Sequence, residues 1–132
     1  MRTAYARFGL AAETAPFFSD LPVRMAAAHL VISRSGASTV AELSAIGRPA
    51  LLVPLPHALD QDQFANAGVL EEAHGAIRIE QRDFTPDRLA SEIAALAGDR
   101  GRLVTMAQSA KSVGTLDAAE RLADLVLKVA EI

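Results

Sequence analysis

Cysteine and tryptophan are absent from the 132-residue sequence, and tyrosine occurs once. Without cysteine there is no disulfide framework and no thiolate metal site. Aromatic residues make up only 5% of the chain against 51% hydrophobic residues in all, so the core has to be built from Ala, Leu, Val and Ile. Basic charge is scarce too: 13 Lys and Arg against 16 Asp and Glu leave a net charge of −3. No basic stripe is available to neutralise phosphates, which argues against a nucleic-acid partner. No apolar run approaches the ~20 residues that cross a bilayer, and the first residues lack the charged-then-apolar order of a leader. Internal repeats, linkers and low-complexity stretches are also missing. What remains is the composition of about one globular α/β or α domain, compatible with a cytoplasmic location.

Hydrophobic spacing gives a coarse order of elements. Residues 2–9 read as the tail of a helix stopped at Gly9, and Ala15–Phe18 as a short extended segment. A helix is predicted over Leu21–Ala28, with Asp20 as its cap and Pro22 in the first turn. His29–Ser33 is a continuous apolar run, as in a strand covered on both faces. Thr39–Ile46 has helical spacing and stops at Gly47. Pro49–Pro54 is a second buried strand with proline confined to its ends. A helix from about Asp60 to Ala73 follows, then an alternating run, Ala76–Glu80, that reads as an edge strand with one wet face. Thr85-Pro86-Asp87 opens a helix carrying Leu89, Ile93 and Leu96. Two more helices cover Arg100–Val113 and Leu116–Ala130. Alternating strands and helices with short connections predict a parallel, Rossmann-like α/β sheet with flanking helices. Only three or four strands are visible where such a fold usually has about six, so residues 1–132 are expected to be the latter part of a larger domain.

The polar chemistry sits in two loops that follow consecutive strands, which is where ligands bind in parallel α/β sheets. The first, Arg34-Ser35-Gly36-Ala37-Ser38-Thr39, leaves a strand and opens a helix. Its backbone N–H groups from Gly36 to Thr39 are unpaired donors with the positive end of a helix dipole behind them. Gly36 permits close approach, the hydroxyls add donors and Arg34 adds charge, so a diphosphate suits this loop. Glu42 lies one turn deeper on the same face; it would repel a phosphate but could accept hydrogen bonds from a vicinal diol such as a ribose. The plainer alternative is that Ser35 or Ser38 caps the helix and Glu42 is solvated. The second loop holds Pro54, Pro56, His57, Asp60, Gln61, Asp62, Gln63 and Asn66. Prolines stiffen it, and the amides and carboxylates after them suit the hydroxyls of a sugar. No second His or ordered carboxylate set accompanies His57, which speaks against a metal. His29 and His74 read as structural or exposed.

Taken together, "RSGASTVAELSAIGRPALLVPLPHALDQDQFANAGVLEE", the following "AIRIEQ" and the upstream "FFSDLPVRMAAAHLVI" resemble the donor-binding half of the two-domain GT-B glycosyltransferases. Within them they are most similar to the cell-wall branch, which moves N-acetylglucosamine from its UDP donor to the lipid-linked muramoyl-pentapeptide of peptidoglycan synthesis. The resemblance covers essentially the whole chain. It implies that Phe18 packs and, through its backbone, hydrogen-bonds the uracil. It places Arg34, Ser35, Gly36, Ala37, Ser38 and Thr39 at the diphosphate and sugar edge, and Glu42 on the ribose hydroxyls. Asp62, Gln63 and Asn66 fall at sugar-reading positions, with His57 and Pro54 shaping the loop; Asp62 stands where some members carry Gln.

The resemblance further implies an inverting, direct displacement that needs no metal or other cofactor. The general base and the lipid-linked acceptor's site would belong to an N-terminal domain absent here, and the first strands of the donor domain itself are expected to be missing too. The isolated chain is therefore expected to show little or no transfer, and the parent enzyme to work on the cytoplasmic face of the inner membrane. Segment 1–20, deprived of sheet neighbours, is expected to pack against the strand at 30–33 or to exchange with a second copy in a homodimer. Two other functions stay open: a GT-B transferase with a different sugar or acceptor, and the donor subunit of a split transferase that needs a membrane partner. Arg34, where His is common in plant and antibiotic-tailoring relatives, favours the cell-wall branch.

Overall fold

A computed structural model describes residues 1–57 and 61–130. The elements in chain order are α1 (Arg2–Arg7), α2 (Leu21–Ala27), β1 (Val31–Ser33), α3 (Ala37–Ile46), β2 (Ala50–Leu52), α4 (Asp62–Glu72), β3 (Ala76–Arg78), a 3-10 turn (Gln81–Asp83), α5 (Pro86–Ala97), α6 (Arg100–Ser112) and α7 (Ala118–Ala130). The strands form one parallel sheet in the order β1-β2-β3, with Ile32 beside Leu51 and Leu51 beside Ile77. Parallel neighbours need a crossover connection, and α3 and α4 supply the two. This is the Rossmann-like parallel sheet with flanking helices that the sequence predicts.

β2 is buried along its whole length. Its ladder to β1 runs from Val31 N–H on Pro49 O at 3.0 Å to Val53 N–H on Ser33 O at 2.9 Å. It stops there because the next donor of the ladder, Ser35 N–H, turns to Gln63 Oε1 at 3.3 Å instead. One face of the sheet packs Ala50 and Leu52 against Met25 of α2, Val40 and Leu43 of α3, and Ala67 and Leu70 of α4. The other face packs Leu51 and Ile77 against Leu89 and Leu96 of α5 and Met106 of α6. Each fully buried leucine contributes roughly 1.5–3 kcal/mol.

Several expected details differ. β1 is shorter than His29–Ser33 and is not covered on both faces, since Ile32 is 42% exposed; α5 and α6 cover its neighbours Leu51 and Ile77 instead. β3 is an edge strand as predicted, but its polar face is only half wet, because Arg78 is ion-paired to Glu71 at 2.8 Å and stacks over Phe64 at 3.8 Å. Asp20 stands at the N-cap of α2 without capping it; its carboxylate accepts from Arg24 Nε at 2.8 Å. Helix α3 begins at Ala37 rather than Thr39. The predicted start of α4 at Asp60 lies outside the described residues. No strand forms at Ala15–Phe18 or anywhere else in residues 1–20, so that segment does not join the sheet at β1. Thr85, by contrast, caps α5 as predicted, accepting from Arg88 N–H at 3.1 Å.

Helix α6 lies across the amino ends of β2 and β3, and small residues let it approach. A Cβ at Gly75 would meet the backbone N and Cα of Ala110 at 2.7 Å, and one at Gly47 would meet Lys111 Cβ at 2.9 Å. Just before Gly75, α4 ends with Gly75 N–H on Leu70 O at 2.8 Å and His74 N–H on Glu71 O at 2.9 Å. That 6→1 and 5→2 pair is a Schellman motif, and His74 holds its left-handed position at φ 65°. No α7 residue is buried, and Leu122, Leu125, Val126 and Val129 are all exposed.

Two substitutions at this turn have opposite expected signs. Gly75→Ala forces backbone against backbone and should destabilise by about 1–3 kcal/mol. His74→Gly relieves a left-handed side chain and should stabilise by about 0.5–1 kcal/mol net of added chain entropy. Urea unfolding midpoints at unchanged slope measure both.

Candidate functional site

The carboxyl ends of the three strands lie opposite α6, and the polar residues gather there. After β1, Ser35 is fully buried and every polar group it owns is used. Its Oγ donates to Gln63 O at 2.6 Å, its N–H donates to Gln63 Oε1 at 3.3 Å, and its carbonyl accepts from Asn66 Nδ2 at 3.2 Å. Gln63 Oε1 also accepts from Leu55 N–H at 2.9 Å. One amide oxygen thus ties the loop after β1 to the loop after β2 at the start of α4. A buried residue with this many polar groups requires such partners.

With Ser35 committed to α4, it cannot cap α3. Gly36 is the N-cap, in extended conformation, and no side chain caps the helix, Ser38 included. The capping alternative does not form. The first intrahelical bond is Val40 N–H on Gly36 O at 3.0 Å. The amides of Ala37, Ser38 and Thr39 are therefore the orphan donors of the first turn. Ala37 and Ser38 are exposed, Thr39 is half-buried, and Glu42 is half-buried one turn further on. Among the described residues Glu42 makes no ion pair.

Arg34 reaches sideways along the sheet. Its Nη1 lies 3.3 Å from Val53 O and 3.4 Å from Pro54 O, and its Nη2 donates to Gln81 Oε1 at 2.8 Å. Both carbonyls lie just past the last residue of β2. Gln81 separates two hollows. One, of about 350 Å³, is lined by Ile32, Ser33, Arg34 and Phe84; the other, of about 460 Å³, by Pro54, Pro56, His57, Gln61 and Phe64. His57 and Gln61 are left-handed at φ 62° and 51°. Glu42 lines neither hollow. Asp62 is exposed at the first position of α4, and Asp60 lies outside the described residues. Among the described residues no three His, Cys, Asp or Glu side chains converge on one point.

Phe18 belongs to a separate cluster. Arg24 of α2 lies over its ring at 4.2 Å and donates to both Glu13 oxygens at 2.7 Å and to Asp20 at 2.8 Å. Hydrogen bonding to Arg24 holds the Glu13 and Asp20 carboxyls below their usual values, and the same two partners raise Arg24.

Of the residues singled out from sequence, Arg34, Ser35, Gly36, Gln63 and Asn66 are joined by contact or adjacency. Ala37, Ser38, Thr39 and Glu42 follow on α3, His57 borders the larger hollow, and Phe18 stands on its own segment. Sequence reasoning missed Gln81 and Arg24. Gln81 closes the "AIRIEQ" stretch, and its place after a strand was the available signal.

The profile of the glycosyltransferase family 28 C-terminal domain matches residues 1–122. The chain belongs to this family. It is 66% identical over all its residues to the UDP-N-acetylglucosamine--N-acetylmuramyl-(pentapeptide) pyrophosphoryl-undecaprenol N-acetylglucosamine transferase of Nitrobacter hamburgensis, and 70% identical to the enzyme of the same name from Rhodopseudomonas palustris. It covers 36% and 35% of those proteins, so it spans about a third of their length. The crystal structure of Acinetobacter baumannii MurG superposes with a TM-score of 0.84 at 34% identity, over 90% of this chain and 34% of that one. In this chain the loops after β1 and β2 are joined through Ser35 and Gln63.

Two outcomes follow from the geometry. Gln63→Leu orphans the buried Ser35 amide and should destabilise by about 1–3 kcal/mol, whereas Asp62→Ala should stay within about 0.5 kcal/mol; thermal unfolding separates them. For the Phe18 cluster, depressed carboxylates make its contacts complete above the unfolded values near pH ~4 and lost as pH falls through the lower folded ones. Phe18 ring proton shifts, set by the guanidinium overhead, should hold at neutral pH and collapse in acid. High salt should weaken them as well, since the ion pairs are exposed.

Proposed function

We propose that this chain binds UDP-N-acetylglucosamine as the donor part of a transferase that passes N-acetylglucosamine to N-acetylmuramyl-(pentapeptide) pyrophosphoryl-undecaprenol. The observation that carries the reading is the uncapped first turn of α3 at the carboxyl edge of the sheet. It occurs in a chain two-thirds identical to transferases of that name.

The chemistry follows from which groups are still free. Transfer expels UDP, so negative charge builds on the diphosphate as the bond to the sugar breaks. The first-turn amides of α3, the helix dipole and the Arg34 guanidinium face such charge without having to reorganise. Ser35 and Gly36 hold the loop so that the amides stay presented. Glu42, one turn deeper and unpaired, suits the two ribose hydroxyls. Gln63 and Asn66 have spent part of their capacity inside the protein. The amide hydrogens of Gln63 and the carbonyl of Asn66 remain for the sugar, together with the exposed Asp62 carboxylate. His57 and Pro54 shape the second loop, and Phe18 receives the uracil. No metal or other cofactor has a part in this reading. The acceptor's hold and the general base are assigned to the two-thirds of the relatives' length that this chain does not match. The location is the bacterial cytoplasm, at the inner face of the membrane that holds the lipid acceptor; no described helix is long and apolar enough to cross a membrane.

Calorimetric titration with UDP and UDP-N-acetylglucosamine tests the reading. Glu42→Ala should weaken both by ~1.5–3 kcal/mol, the cost of losing a charged acceptor for hydroxyls. Equal affinity of the wild type and this variant would remove Glu42 from the ribose. Failure of UDP to bind at all would remove the donor reading.

A further inference from the structure

Among the described residues, Gln81 contacts a proposed donor-binding side chain from a third element of the carboxyl edge. It follows β3, lies 47 positions from Arg34, and its Oε1 accepts from Arg34 Nη2 at 2.8 Å. Arg34 is an exposed side chain, and an untethered arginine has much rotamer freedom to lose. The carbonyls of Val53 and Pro54 hold one end of its guanidinium at 3.3 and 3.4 Å. These are long contacts, and the short bond to Gln81 fixes the other end.

The identity of residue 81 carries chemical information. A glutamine oxygen accepts a hydrogen bond from a guanidinium and leaves its positive charge in place. A carboxylate at the same point would bind the arginine more tightly and cancel that charge. The acids that flank Gln81 are already engaged with a different arginine: Arg82 Nε lies 3.1 Å from Glu80 and 3.7 Å from Asp83. Among the described residues no carboxylate pairs with Arg34. Arg34 is thus ordered by three neutral oxygens and keeps its full charge. Gln81 also borders both hollows at this edge, so its side chain sets where one ends and the other begins.

We infer that Gln81 is a positioning residue that holds Arg34 ready for the diphosphate of the donor while leaving its charge unspent. This rests on the donor-binding reading above and adds to it a residue and a requirement for neutrality at position 81. The guanidinium retains N–H groups beyond those bound to Val53, Pro54 and Gln81, so an anion can bind without breaking the tie. An arginine already in place loses less freedom when the anion arrives, which is the usual gain from preorganisation.

The test compares wild type, Gln81→Ala and Gln81→Glu on the full chain, by calorimetric titration with UDP and by thermal unfolding. Gln81→Ala should weaken UDP by about tenfold, the scale of one lost charge-assisted hydrogen bond's effect. Gln81→Glu should weaken it at least as much while unfolding at the wild-type temperature or above, because the new ion pair preserves the tie and removes the charge. A purely structural glutamine predicts the reverse for Gln81→Glu: stability kept and affinity kept. That result, or an affinity loss in Gln81→Ala that tracks a fall in unfolding temperature, overturns the inference. Hydrogen exchange at the Arg34 Nη2 protons, slow in the wild type and fast in Gln81→Ala, reads the tie without ligand; equal rates also overturn it. A wild-type chain that does not bind UDP overturns the donor reading and takes this inference with it, an outcome distinct from wild-type binding that the variants leave unchanged.

Discussion

The carboxyl edge of this domain depends on the burial of Ser35. A serine with no solvent contact must satisfy its hydroxyl, its amide and its carbonyl inside the protein, and all three bonds go to two residues of α4. Because Gln63 shares the same oxygen with Leu55 N–H, the position of the second loop is fixed by the first. The same commitment keeps Ser35 from capping α3, so the helix meets the edge with its first amides unspent. Structural satisfaction and ligand readiness are here two results of one set of hydrogen bonds.

At the opposite edge the constraint is steric. Helix α6 presses on Gly47 and Gly75 where no side chain would fit, and it closes the amino end of the sheet with Ala110 and Met106 in the two cores. The domain therefore has one end sealed by apolar contact and one end finished by polar groups. The prolines bounding β2 stand one at each end: Pro49 O accepts from Val31 N–H, and Pro54 O lies 3.4 Å from Arg34 Nη1.

Much of this was legible in the sequence because it rests on local signals. The apolar run Ala50–Val53 between prolines, the Gly47 stop, the Thr85-Pro86 start and the polar loop after β1 depend on neighbours within a few residues. Less legible was anything set by distant partners. Asp20 has the residue type of a cap, but an ion pair with Arg24 outcompetes that role. The alternation of Ala76–Glu80 predicts a wet face, yet Glu71 and Phe64 arrive from α4 to cover Arg78. The continuous apolar run around Ile32 predicts burial on both faces, which needs a covering helix that the described residues do not place there. In the candidate site, the residue types of Arg34, Gln63 and Asn66 pointed to polar recognition. That Gln63 would use its oxygen inside the protein, and that Gln81 would meet Arg34, are facts of tertiary structure with no local trace.

The bond from Leu55 N–H to Gln63 Oε1 draws together the two ends of the stretch between them at its root. Whatever lies beyond that root can be lengthened or rewritten without disturbing the anchor beneath, since doubling such a span costs only ~0.6 kcal/mol of closure entropy. Changes of sequence between Leu55 and Gln63 can thus leave the Ser35–Gln63 anchor as it is.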